Sequence, residues 1–283
     1  MALAASLNRA LRADADRHGR ELFRNHLWES LNALAKILLF AIVTPLMLRA
    51  WGRENFGLFA LGNSCIALMV FLDFGLRTLT RVGLSRPDLS EPEKARLHAQ
   101  YVGAFGLVAA GGLSVILWFA WSGLTGPWLN LPAGGNMVLA STSALALGTM
   151  FLQILLEPIA ASGRLSRIKA TMFVGNVLAS VALLATVRGG VGVVAATAAY
   201  FAALALPLLF LLPQAQPHWR DFVLALVRLR ARDILPVFRA GLWINAITGS
   251  WLLQSYGLIF LISWAGDPAE AGNFFLFLKL SEL

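Results

Sequence analysis

The sequence predicts an all-α, polytopic membrane protein of seven spans and the start of an eighth. Three observations carry that reading. Of 283 residues, 58% are hydrophobic and 13% charged, against about 25% charged in soluble domains. The apolar residues gather into runs of roughly 20, the length that crosses about 30 Å of hydrocarbon as a helix. Finally, of the 23 Lys and Arg residues, 18 fall on one set of alternate segments and 3 on the other.

Residues 1–26 come first. Leu3, Leu7, Leu11, Ala15 and Leu22 recur at near-helical spacing opposite Arg9, Arg12, Arg17, Arg20 and Arg24. An amphipathic helix on an anionic inner leaflet is expected. Asp14, Asp16 and Glu21 interrupt the basic run, and no small-residue cleavage pattern follows, so a cleavable signal is not expected.

The six spans of residues 27–212 run Leu31–Leu48, Phe56–Leu76, Tyr101–Trp121, Val138–Leu156, Ile168–Val187 and Val191–Leu212. Residues 213–239 form the longest internal connection, with a helix-length run Asp221–Asp233, and read as a hinge. Residues 240–283 hold a seventh span, Ala240–Trp264, and an apolar run from Phe274. In the connection Ser85–Gln100, Ser90 and Glu93 give a capping-box pattern, with Pro92 in the first turn, for a short helix. The 18-to-3 charge bias places the N-terminus and the even-numbered connections in the cytoplasm.

This distribution turns a net charge of +8 into a membrane signal and removes the nucleic-acid reading. Cys65 is the single cysteine, so no internal disulfide or thiolate zinc cluster forms. The four histidines, at 18, 26, 98 and 218, lack ligand spacing. Phosphate-loop, HExxH and DDxxD motifs do not occur, and the GxGxxA-like run from Gly190 to Ala195 enters a span from a short turn. Close packing of small residues is its expected role, as for Gly175 with Ala179. The outer connections carry only Glu54, Asp267 and Glu270 as acids, so neither an enzyme nor a cofactor is expected.

Ionisable groups at membrane depth are costly and mark candidate sites. Lys36, one turn beyond Asn32, is the deepest and would meet an anionic head group or snorkel to the interface. Asp73 and Arg77 are spaced i, i+4 with Arg81 one turn on, an arrangement for phosphate binding, a cavity gate or an interfacial ion pair. Glu157, before Pro158, is a coupling or gating candidate. Asn63, Asn176, Asn245 and Gln254 are amides within spans, with interhelical hydrogen bonding as their default role. Pro45 and Pro207 are candidate kinks.

The segment Leu48-Arg49-Ala50-Trp51-Gly52-Arg53-Glu54-Asn55-Phe56-Gly57-Leu58-Phe59, followed by Asp73-Phe74-Gly75-Leu76 and Arg81, resembles the opening of the Wzx-like O-antigen and polysaccharide flippases. These belong to the multidrug/oligosaccharidyl-lipid/polysaccharide exporter superfamily. The match covers an "LG-x-x-x-FG" turn, with Trp51 in place of Leu, and a "D-x-G" ending to span two. Gly52, Gly57, Asp73 and Gly75 carry it, with structural roles.

The resemblance implies a six-helix transporter lobe paired with a second lobe around a cavity. Its substrate would be a polyprenyl-diphosphate-linked oligosaccharide, flipped across a bacterial inner membrane for surface polysaccharide synthesis. Lys36, Arg77, Arg81 and Asn63 become candidate substrate contacts, and Asp73 and Glu157 coupling or gating groups. Partners would be membrane lipids and the polysaccharide polymerase and glycosyltransferases. A cation-coupled multidrug exporter of the same superfamily and a non-transporting scaffold are the alternatives. Trp264-Ala265-Gly266-Asp267 leading to Gly272-Asn273-Phe274 echoes Trp51-Gly52-Arg53-Glu54 leading to Phe56-Gly57, as a six-span parallel repeat would. A chain stopping ten residues into its eighth run reads as a fragment of a longer transporter.

Overall fold

The computed structural model describes residues 2–69, 73, 75–122, 131, 135–215 and 219–281, and every regular element among them is helical. The helices are α1 (Ala2–Met69), α2 (Leu76–Leu84), α3 (Glu91–Ser122), α4 (Gly135–Leu155), α5 (Leu165–Arg188), α6 (Val193–Leu209), α7 (Trp219–Val227), α8 (Ala231–Ala265) and α9 (Pro268–Ser281). A short turn Glu157–Ile159 and a π-helical turn Ala160–Arg164 join α4 to α5, and a turn Leu212–Ala215 follows α6.

α1 is two helices meeting at Gly52, whose φ of 76° and ψ of 175° suit glycine alone. The resembling segment thus turns the chain where the first span was expected to end. No break separates residues 2–26 from the first span, so the arm and that span form one continuous helix. Residues 24–31 contain no Gly or Pro to stop the helix, and the arm is tied sideways to α5. Glu21 Oε1 accepts from the Ser166 backbone N–H at 3.0 Å, and Glu29 pairs with Lys169. The Asn32 side chain donates to Lys169 O at 3.1 Å and accepts from Asn176 Nδ2 at 2.9 Å. At the far end Trp51 Nε1 donates to Val191 O at 3.3 Å. These bonds ascend together along both chains, so the first arm of α1 and α5 run parallel. Asn176 therefore holds the interhelical role its sequence position suggested.

Other contacts give the remaining directions. A Cβ on Gly135 would touch Leu58 and one on Gly62 would touch Thr142, so the second arm of α1 runs parallel to α4. His98 bonds Ile154 O while Phe105 stacks on Phe151, which makes α3 antiparallel to α4. Gly175 lies 2.8 Å, from its Cβ position, from Leu204 O, so α5 and α6 approach backbone to backbone as the small residues predicted. Connections expected on one side thus share an end of the bundle. Two stretches, 91–122 and 135–188, are long and apolar enough to cross a membrane, and they contain the expected spans three, four and five.

The two largest of four core regions among the described residues stack along the bundle. Val43, Met47, Phe56, Phe59, Leu183, Tyr256, Ile259 and Phe275 fill the far half. Leu76, Val102, Phe105, Met150, Ile154 and Phe222 fill the half toward the basic connections. In the far half the two echoing turns meet: Gly272 lies against Phe56 and Gly57, and Gly57 faces the Pro268 carbonyl.

Three expectations change in detail. Half of the capping box forms, with Glu93 Oε2 accepting from the Ser90 backbone N–H at 2.8 Å and from Ser90 Oγ at 2.6 Å, and it starts α3 itself and not a separate short helix. The helix-length run Asp221–Asp233 divides at Arg228–Arg230, and α8 begins at Ala231, inside the expected hinge. α7 then docks on α3 through Phe222, whose ring lies 5.0 Å from that of His98. Pro45 sits within continuing helix and Pro207 in the last turn of α6. The side chains of Cys65, Asn245 and Gln254 lie outside the described residues.

Candidate functional site

Four of the six candidate residues converge where α2 begins and α4 ends. Asp73 precedes Gly75, which takes a left-handed conformation (φ 65°, ψ 11°) as the residue before α2. A side chain with a Cβ resists that conformation, so the D-x-G ending has a physical reason. Asp73 Oδ1 accepts the Arg77 backbone N–H at 3.3 Å and satisfies a first-turn donor of α2. The i, i+4 pair is therefore a cap and not a side-chain ion pair: Gly75 breaks the helix that such a pair would need.

The Arg77 side chain turns instead to Glu157, its Nε lying 3.3 Å from Oε1. Arg81 grips the same carboxylate in a fork, Nε to Oε2 at 2.9 Å and Nη2 to Oε1 at 3.2 Å. The Glu157 side chain is 2% exposed, while those of Arg77 and Arg81 are 30% and 38% exposed. A buried carboxylate thus meets two guanidinium groups that keep one face toward the solvent side. Both carry further N–H donors that Glu157 does not use.

Glu157 reaches the arginines because the chain leaves α4 at Leu155 and re-forms as a short turn with Pro158 in its first positions. The π turn follows, and Gly163 at φ 76° closes it. Such turns are common where a helix is bent to place a side chain. Asn63 sits half-buried on the second arm of α1 and joins none of these bonds. The Lys36 side chain lies outside the described residues.

Sequence reasoning passed over His98, 1% exposed on α3. Its Nε2 faces Ile154 O at 3.1 Å. A carbonyl can only accept, so Nε2 carries the proton and Nδ1 presents a lone pair. Burial pushes the ring from 6.5 down to about 4, so it is neutral near pH 7. Its partner lies 56 residues away, a distance with no periodic signal. Among the described residues no group of three His, Cys, Asp or Glu side chains is placed to hold a metal ion. Comparison with protein families, curated proteins and solved structures finds no match.

Proposed function

We propose that the chain is a lobe of a polytopic transporter that flips a polyprenyl-diphosphate-linked oligosaccharide across a bacterial inner membrane. The observation that carries this reading is the carboxylate of Glu157 held by Arg77 and Arg81 at the basic end of the bundle. A diphosphate offers more anionic oxygens than a carboxylate, and planar guanidinium forks suit it. An arriving diphosphate competes for the arginines, releases Glu157, and frees the turn after α4 from α2. Arg77 and Arg81 are then the substrate cations, Glu157 is the gate they close on, and Asp73 keeps α2 in register. Lys36 is a third cation of the same pathway.

Other features support the setting. Val174, Val177, Val181 and, on α3, Leu113, Leu117, Trp118 and Trp121 are exposed apolar side chains of the kind lipid covers. Three of the four resembling positions fall where glycine is demanded: Gly52 and Gly75 by positive φ, and Gly57 by contact with Pro268.

The test is made in the native host. Chromosomal Arg77→Gln/Arg81→Gln and Glu157→Gln strains, checked for equal protein abundance in the membrane, are labelled for lipid-linked oligosaccharide. Accumulation of the inner-leaflet species, as in a deletion strain, is the expected result. Ordinary lipid-linked pools in the deletion strain would refute the flippase reading. Accumulation in the deletion strain alone would refute the arginine–glutamate gate.

A further inference from the structure

A second feature of the basic end lies beside the gate but uses none of its four residues. A cavity of about 330 Å³ opens between the connection after α2, the start of α3, the π turn and the turn after α6. Leu84, Ala95, Ile159 and Ala215 form a buried apolar floor, and His98 lies among them. Arg86, Lys94, Arg164 and Arg167 line it as cations, with Glu91 as the one acid in the lining. Asp88 pairs with Arg86 at 2.6 Å, Glu91 with Lys94 at 2.9 Å, and Arg167 Nη1 donates to Gln214 Oε1 at 3.2 Å. After these pairings Arg164 and Arg167 have no carboxylate partner among the described residues, and the rim they form keeps positive charge.

The floor adds an independent requirement. His98 Nδ1 is buried and has no hydrogen-bond partner among the described residues. Buried polar atoms are rarely left so. With Nε2–H committed to Ile154 O, Nδ1 can only accept. The ligand therefore needs an anionic group for the rim and a hydroxyl to donate at the floor. Inorganic phosphate meets the first need, but its P–OH sits on the same phosphorus as the oxygens that the rim holds, so the second need calls for a longer ligand whose hydroxyl lies away from the phosphate. A π turn in the wall, Ala160–Arg164, matches the frequent placing of such turns at functional sites.

We propose that this cavity binds a phosphorylated polyol, its phosphate on Arg164 and Arg167 and a hydroxyl donating to His98 Nδ1. The same chemistry reaches the site from a soluble sugar or glycerol phosphate, or from a glycerol-phosphate lipid head group. The cavity is separate from the gate, and the assignment stands whether or not the chain flips oligosaccharides.

The experiment uses the full chain in nanodiscs, read by thermal unfolding. In phosphatidylcholine discs, glycerol 3-phosphate is titrated against inorganic phosphate and against glycerol at matched ionic strength. A parallel set of discs contains phosphatidylglycerol and no soluble ligand. A soluble source appears as saturable stabilisation by glycerol 3-phosphate that exceeds that of phosphate. A lipid source appears as stabilisation by phosphatidylglycerol, with no effect of the soluble ester in the phosphatidylcholine discs. In either case Arg164→Gln/Arg167→Gln, at exposed positions, weakens the apparent affinity at least about tenfold, the usual scale for losing a charged hydrogen bond. His98→Phe keeps the ring against Phe222 and removes the preference for the ester over phosphate. The proposal is overturned if neither arm stabilises the protein, or if the stabilisation survives the double arginine substitution. Equal response to phosphate and its ester in the unsubstituted chain would overturn the polyol assignment.

Discussion

Replacing Glu157 by Gln keeps the shape of the side chain and removes its charge. Two arginines then lose their anion, and the amide turns an N–H pair toward guanidinium donors at 2.9–3.3 Å. Breaking a fully buried ion pair costs about 3–5 kcal/mol, and an exposed one about 0–1 kcal/mol. Here the acid is 2% exposed and its partners 30% and 38%, so each arginine recovers part of its hydration from solvent. The intermediate burial sets the expected loss at about 2–3 kcal/mol. The measurement is equilibrium unfolding in mixed micelles, run as a double-mutant cycle with Arg81→Gln. Because Arg81 supplies the fork, the double variant should lose little beyond Glu157→Gln, giving a coupling energy of about 1.5 kcal/mol or more. A Glu157→Gln variant within about 0.5 kcal/mol of the unsubstituted protein, or additive single losses, would refute the reasoning.

Three further outcomes follow from local geometry. The Cβ of Gly57→Ala would sit 1.9 Å from the Pro268 carbonyl oxygen, so α9 must shift away from α1 at about 1–3 kcal/mol, whereas Gly106→Ala, with Phe151 at 3.9 Å, should be nearly silent. Thermal melts of the two variants check this, and equal melting points would contradict it. His98 binds a proton less readily folded, at about 4, than unfolded, at 6.5. Below pH 6.5 the unfolded state therefore takes up more protons, and stability falls as pH drops from 6.5 to 4, by about 3 kcal/mol in all. It should be flat in this respect above 7, and His98→Phe should remove the acid-side slope. Asn176→Leu breaks the 2.9 Å bond to Asn32 and should cost about 0.6–1 kcal/mol, the usual scale for a side-chain bond between helices in lipid. A larger loss in the same unfolding assay would mean the pair does more than join α1 to α5.

Much of the helical plan was legible because apolar length and basic charge are properties of short segments. Each of spans three, four and five is a continuous run whose register needs no partner, and the connections after the second, fourth and sixth expected spans, which hold most of the Arg and Lys between spans, meet through Arg81–Glu157 and Arg167–Gln214. Gly52 and Gly75 could be marked from a pattern, since a residue that takes positive φ leaves a local signature. Other boundaries failed for a local reason too: without Gly or Pro between residues 24 and 31, nothing in the chain itself ends the first helix there.

The site divides in the same way. Sequence alone determined that Asp73, Arg77, Arg81 and Glu157 were chemically out of place near the ends of apolar runs, because a charge set among apolar side chains is costly wherever it occurs. Only the tertiary structure decided who meets whom. Arg81 finds its carboxylate 76 residues downstream, and Asp73 serves a backbone N–H instead of the guanidinium four residues on. His98 looked like a stray histidine until α4 and α7 packed against it. Pairings of this kind depend on helix directions and crossing points, which come from the summed packing of many apolar side chains. No spacing within the chain encodes them.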